Sequence, residues 1–114
     1  GLEVEGPAFL HLLAPCPRGW RYDTSKTIEI ARLAVETCVF PLWEAVDGEY
    51  SLSPFSKVFA LKPDKKKPVI EYLKTQHRFD HLFREKKFEY MLGDIQKMVD
   101  RNWDRLLKRC DMKQ

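Results

Sequence analysis

Between Ala8 and Leu13 the chain runs through apolar residues broken only by His11, then stops at Pro15-Cys16-Pro17. An apolar run without alternation is what a strand covered on both faces looks like. Phe9–Leu13 therefore reads as a buried strand that needs neighbours in a sheet. The two prolines lock φ and remove backbone donors, so neither a ladder nor a regular helix is expected to run through Cys16. Gly19 reads as a residue that frees the backbone before Trp20.

From Thr24 to Thr37 the apolar positions (Ile28, Ala31, Leu33, Ala34 and Val35) give one broad helical face, with Lys26, Glu29, Arg32 and Glu36 outside it. Asp23 is placed to cap that helix. Phe40–Val46 reads as a strand. Asp47-Gly48 is a strong two-residue hairpin turn, because both residues tolerate positive φ, and Glu49–Leu52 is the return strand. Strand, helix and strand in this order predict a right-handed βαβ unit. Val58–Leu61 suggests one more short strand. Pro68 opens a short helix to about Gln76. From Arg84 to Arg109 the residues Phe88, Met91, Leu92, Ile95, Met98, Val99, Trp103 and Leu106 follow the i, i+3, i+4, i+7 stripe of a long helix. The expected fold class is thus α/β. A strand needing partners on both edges and faces, with few strands to surround it, suggests a piece of a larger subunit.

A chain of 114 residues forms at most one modest domain. No apolar run approaches the ~20 residues of a membrane helix, and Glu3 and Glu5 ahead of the apolar run do not suit a signal peptide. The three cysteines, Cys16, Cys38 and Cys110, are odd in number and widely spaced, which favours a reducing, cytoplasmic setting over a disulfide framework. Charge is divided unevenly. Residues 1–56 carry four Lys/Arg against eight Asp/Glu, and residues 57–114 carry sixteen against nine. The basic half could meet nucleic acid or an acidic protein. Its interleaved acids fit equally with a solvated helical surface.

Candidate chemistry narrows to one thiol. Cys16 lies between two prolines just past a predicted strand, where parallel α/β sheets place their ligand crevice. A single cysteine is also commonly a small buried hydrophobe. Thiolates ligate iron–sulfur clusters in sets of four drawn from separate parts of a chain, so Cys16 can be one of four. Cys38 and Cys110, at helix ends, read as packing residues. His77 and His81 have the i, i+4 spacing of a chelating pair, but Arg78 and Arg84 beside them disfavour a cation. His11 reads as a satisfied histidine of the core or the crevice. Neither a glycine-rich phosphate loop nor a nucleophile elbow occurs, and Gly93-Asp94 falls within the predicted tail helix.

The run GPAFLHLLAPCPRGW, followed by Asp23, SKTIEIARLAVET, FPLWEAVDG and KKPVIEYL, resembles the β subunit of pyruvate:ferredoxin oxidoreductases, within the 2-oxoacid:ferredoxin oxidoreductase family. The resemblance covers residues 6–81 best. It implies a piece from the C-terminal part of that subunit, catalytically incompetent alone. Residues 1–61 would be a βαβ and hairpin part of the thiamine diphosphate-binding domain, with its parallel sheet, and residues 62–114 a basic helical extension. It also implies thiamine diphosphate, magnesium and a four-iron–four-sulfur cluster in the whole subunit, whose partners are the other subunits, ferredoxin, a 2-oxoacid and coenzyme A. Cys16 would supply one cluster ligand, Pro15 and Pro17 would shape its turn, and His11, Gly19 and Trp20 would surround it. The thiamine-binding loop and the other three ligands would lie outside this segment. The competing reading is a free-standing interaction module that uses its basic half.

Overall fold

In a computed structural model of the chain, which describes residues 3–112, the core is assembled by helices and not by a sheet. Asp23 starts the helical stretch over residues 24–36 by accepting the Ser25 N–H at 2.9 Å. That bond holds its carboxyl below the usual range, with the nearby Lys26 charge adding to it. A 3-10 turn over Thr24–Lys26 leads into helix α2, Thr27–Glu36, which follows a short α1 at Pro17–Trp20. The buried face of α2 is Ile30, Leu33 and Ala34, while Ile28 is exposed. The expected face is therefore rotated: Ile30 points inward and Ile28 outward.

The end of α2 is closed by Cys38, whose φ of +63° puts a non-glycine residue in the left-handed region. The turn closes through Cys38 N–H to the Val35 carbonyl (3.0 Å) and Phe40 N–H to the Ala34 carbonyl (2.9 Å). Buried Thr37 donates its hydroxyl to the Leu33 carbonyl at 2.7 Å.

Strands β1 (Trp43–Val46) and β2 (Glu49–Leu52) form a two-stranded antiparallel sheet, with Val46 opposite Glu49 and Trp43 opposite Leu52. Asp47 (φ +50°) and Gly48 (φ +81°) both take positive φ, as a type I′ turn requires. The hairpin is where the sequence predicts it, but its first strand is shorter. Pro41 has no N–H, and Leu42 donates its own to buried Ser56 Oγ at 2.8 Å. Trp43 and Tyr50 stack, with centroids 5.4 Å apart.

Five expectations are corrected. Phe9–Leu13 is not a ladder strand among the described residues; it is irregular backbone, with Phe9 89% and Leu12 81% exposed. Its apolar pattern specifies burial, but among the described residues only Leu13 packs against the core, while Phe9, Leu10 and Leu12 stay exposed. The βαβ unit is accordingly absent among the described residues, and the only sheet found there is the hairpin. Val58–Leu61 is helical, within α3 (Pro54–Leu61). Pro54 at the first helical position starts it, and Phe59 and Ser56 face inward while Phe55, Val58 and Leu61 stay outside. The helix expected from Pro68 is shorter, α4 at Ile70–Leu73. The tail helix also begins later. Helix α5 (His81–Arg84) is followed by extended Glu85, a 3-10 turn over Lys86–Phe88, and then α6, Glu89–Arg109.

Val99, Trp103, Leu106 and Leu107 of α6 pack with Ile30, Leu33, Ala34, Phe59, Val69, Tyr72 and Leu73 in one core, while Met98 from the expected stripe is 51% exposed. Polar contacts clamp the lysine run onto this core. Lys67 donates its N–H to the Glu36 carbonyl at 3.0 Å and pairs through Nζ with the Glu36 carboxylate at 2.8 Å. Lys66 pairs with Asp100. Asp100 also accepts from Gln96 Nε2 at 2.9 Å, and Gln96 Oε1 accepts the Val69 N–H at 2.7 Å. These lysines serve the fold. No helix is long and apolar enough to cross a membrane among the described residues.

Candidate metal-ligand site

Cys16 is the N-cap of α1, in extended conformation (φ −117°, ψ 106°), with Pro17 at the first helical position. Its side chain turns over the helix start, where Sγ accepts the Gly19 N–H at 3.3 Å. Trp20 N–H donates to the Cys16 carbonyl at 2.9 Å and Tyr22 N–H to the Pro17 carbonyl at 3.1 Å. The thiol is exposed and free. The prolines thus give a rigid turn, and as expected no helix runs through Cys16: the single turn of α1 starts only at Pro17. Gly19 has a different role from the one its sequence position suggests. Its backbone is not left-handed, and a Cβ there would lie 3.3 Å from the cysteine sulfur. The residue is small because sulfur occupies that space.

A four-residue helix is not stable alone, and this one is tied to the turn at Gln76–Phe79. His77 N–H donates to the Arg21 carbonyl at 2.9 Å, and Arg21 Nη2 donates back to the His77 carbonyl at 3.1 Å. Arg21 takes φ +57°, closing α1. The Arg78 guanidinium lies 4.1 Å from the Trp20 ring centroid and 4.5 Å from that of Phe79. Sequence reasoning missed Arg21, His77 and Arg78 as parts of this site. Contacts across more than fifty residues leave no local signature.

The other candidates are engaged elsewhere. His77 Nδ1 is 3.1 Å from Asp80 Oδ2, and His81 packs edge-on against Phe88. The two histidines sit in separate elements, a 3-10 turn and α5. His11 is exposed, with its ring edge-on to Phe40 at 5.1 Å. Cys38 is buried, and burial pushes its thiol up to about 12. Desolvation also raises Cys110, which packs at the margin of the core. Both therefore act as packing residues, as expected. No three His, Cys, Asp or Glu side chains converge on a possible metal position among the described residues. Cys16 presents an accessible sulfur, braced in a tight turn and receiving an amide hydrogen bond.

Comparison with known proteins gives this turn a context. The chain is 45% identical over 100 residues, 88% of its length, to the pyruvate synthase subunit PorB of Methanosarcina barkeri, of which it covers 31%. It is 43% identical over 111 residues, 96% of its length, to the ketoisovalerate oxidoreductase subunit VorB of Pyrococcus abyssi, covering 32% of that protein. With PorB of Thermotoga maritima it shares 42% identity over 106 residues, 93% of the chain and 31% of the relative. No protein-family model matches the chain. Its relatives are thus oxidoreductase subunits. The chain belongs with the β subunits of the 2-oxoacid:ferredoxin oxidoreductase family, and it spans about a third of the length of the curated relatives it matches.

Proposed function

We propose that this chain acts as the C-terminal part of the β subunit of a pyruvate:ferredoxin oxidoreductase, and that Cys16 is one of four thiolate ligands of its four-iron–four-sulfur cluster. The observation that carries the reading is the Cys16 turn itself. In a chain with PorB and VorB relatives, the exposed cysteine sulfur is held over a helix start with the Gly19 N–H donated to it. Amide donors stabilise the negative charge of a metal-bound thiolate and set cluster potential. Among the described residues no side-chain base contacts the Cys16 sulfur, whose hydrogen bond comes from the Gly19 N–H. Cluster ligation therefore suits its surroundings better than nucleophilic chemistry, and the other three ligands come from outside these residues.

When bound, the cluster would supply one-electron transfer, with Cys16 as one of the residues that would hold it. This chain holds one corner of it, orients the sulfur through Pro15 and Pro17, and keeps an amide aimed at it. Thiamine diphosphate and magnesium belong to the remainder of the subunit. Residues 1–61 are part of the thiamine diphosphate-binding domain, where the segment of exposed Phe9, Leu10 and Leu12 pairs into its parallel sheet. Residues 62–114 are the helical extension. Partners are the other subunits, ferredoxin and coenzyme A, the substrate is a 2-oxoacid with pyruvate first, and the setting is a reducing cytoplasm.

Cys16→Ser in the complete subunit, within its assembled enzyme, tests the ligand assignment. The expected result is loss of iron from one cluster, together with that cluster's electron paramagnetic resonance signal. Unchanged iron content and spectrum would reject the assignment.

A further inference from the structure

We propose that Arg78 is a positioning residue for the Cys16 sulfur, acting through Trp20. This rests on the reading of Cys16 as a cluster ligand. Gln76 is 1% exposed, and both ends of its carboxamide are used. Nε2 donates to the Tyr72 carbonyl at 3.1 Å, and Oε1 accepts from Arg78 Nε at 2.7 Å. A side chain fixed in the core thus sets the direction of the Arg78 guanidinium. The guanidinium lies between the rings of Trp20 and Phe79, where a flat, weakly hydrated cation is favoured over the ring faces. Trp20 is the last residue of α1, and its own N–H is bonded to the Cys16 carbonyl. The sulfur and the Gly19 N–H face each other only while that turn stays wound.

The exchanged bonds between Arg21 and His77 form a second tie to the same turn. They hold the backbone at the far end of α1, whereas Arg78 holds its side-chain face. With Arg78 removed, the Arg21 tie keeps the segment near its place, but Trp20 loses its ceiling and the Gly19 N–H to sulfur bond opens more often. A hydrogen bond to a ligand sulfur offsets the charge gained on reduction, so losing it drives the cluster potential more negative. The consequence is a change in cluster electronics with the ligand still present. That outcome separates positioning from ligation.

The test uses the complete subunit in its assembled enzyme. Variants are Arg78→Ala, Arg78→Lys, Trp20→Ala and the Arg78→Ala/Trp20→Ala double, with Cys16→Ser identifying the relevant signal and Asp100→Asn as a control in the distant lysine clamp. The readouts are iron content, the midpoint potential of the signal that Cys16→Ser removes, and amide exchange at Gly19. Arg78→Ala should keep its iron, shift the potential to a more negative value and quicken Gly19 exchange about fivefold, the loss expected for a partly exposed cation–π contact. Trp20→Ala should do the same and the double variant no more than either single change, since residues acting through one contact are not additive. Arg78→Lys should recover part of the shift, and Asp100→Asn should leave the potential alone. An unchanged potential and exchange rate in Arg78→Ala, additive shifts in the double variant, or an equal shift in Asp100→Asn would each overturn the positioning role while the ligand reading stands. Retention of iron and signal in Cys16→Ser would remove the ligand reading, and this inference with it.

Discussion

At Gly19 stability and function pull in opposite directions. Alanine favours a helix over glycine by up to about 1 kcal/mol, and the backbone here would accept it. The Cβ, however, would stand 3.3 Å from the Cys16 sulfur, closer than most such contacts, so the sulfur must move. Gly19→Ala is therefore expected to leave thermal stability of the subunit unchanged or slightly raised. Its cluster potential should shift to a more negative value as the amide bond to sulfur is lost. Melting and potentiometric titration of the same preparation check both signs. Cys16 and Cys38 predict a second contrast. Cys16 is exposed, whereas burial pushes the Cys38 thiol from 9.0 to about 12. Alkylation at pH 8, read by mass spectrometry, should modify Cys16 and spare Cys38 in the folded chain. The unfolded thiol ionises near 9 and the folded one near 12. The unfolded state thus gives up its proton first, and stability is lost as pH rises from 9 towards 12. Cys38→Ala should flatten that part of the stability profile, as followed by denaturant titration.

The elements differ in how far their causes lie within reach of their own residues. The hairpin depends on Asp47 and Gly48, which are adjacent and both at positive φ, and so it is legible from two letters. Gly48→Val should cost about 1 kcal/mol or more in the left-handed region and disperse the Trp43–Tyr50 stack, while Gly48→Asn should keep it. Near-ultraviolet circular dichroism and cross-strand amide exchange distinguish the two. The tail helix is legible over its second half, where Val99, Trp103 and Leu106 repeat at helical spacing. Its start is not, because Glu85 is extended (φ −112°) and interrupts a charge-rich stretch that no pattern divides. Val58–Leu61 misleads for a further reason: four apolar residues carry no period, and the deciding signal is Pro54 upstream. For the site, the cysteine and its prolines are visible locally. The Arg21–His77 bonds and the Arg78–Trp20 contact join segments far apart in sequence, and neither partner carries a mark of the other.

On the scale of the whole molecule, the same apolar pattern that misplaces a strand points to what surrounds it. The radius of gyration is 15.9 Å, against the roughly 13 Å of a compact domain of this length. Phe9, Leu10 and Leu12 lie outside the core, each more than three-quarters exposed. An exposed extended segment of that composition is a template for pairing with another chain. In the complete β subunit, where these side chains are taken to enter the parallel sheet, a charge at Leu12 would be buried without a partner. Leu12→Asp should therefore act with opposite signs in two settings. The isolated 114-residue chain should become less prone to associate, because the substitution removes a sticky edge and leaves the helical core untouched. The complete subunit should lose stability by several kcal/mol, or fail to assemble, since burial of an unpaired carboxylate is among the costliest single changes. Sedimentation velocity on the first and thermal melting on the second measure the pair. A matching loss in both settings would mean that Leu12 already supports this chain's own fold. No effect in the complete subunit would mean that the segment lies on its surface and the sheet assignment is wrong.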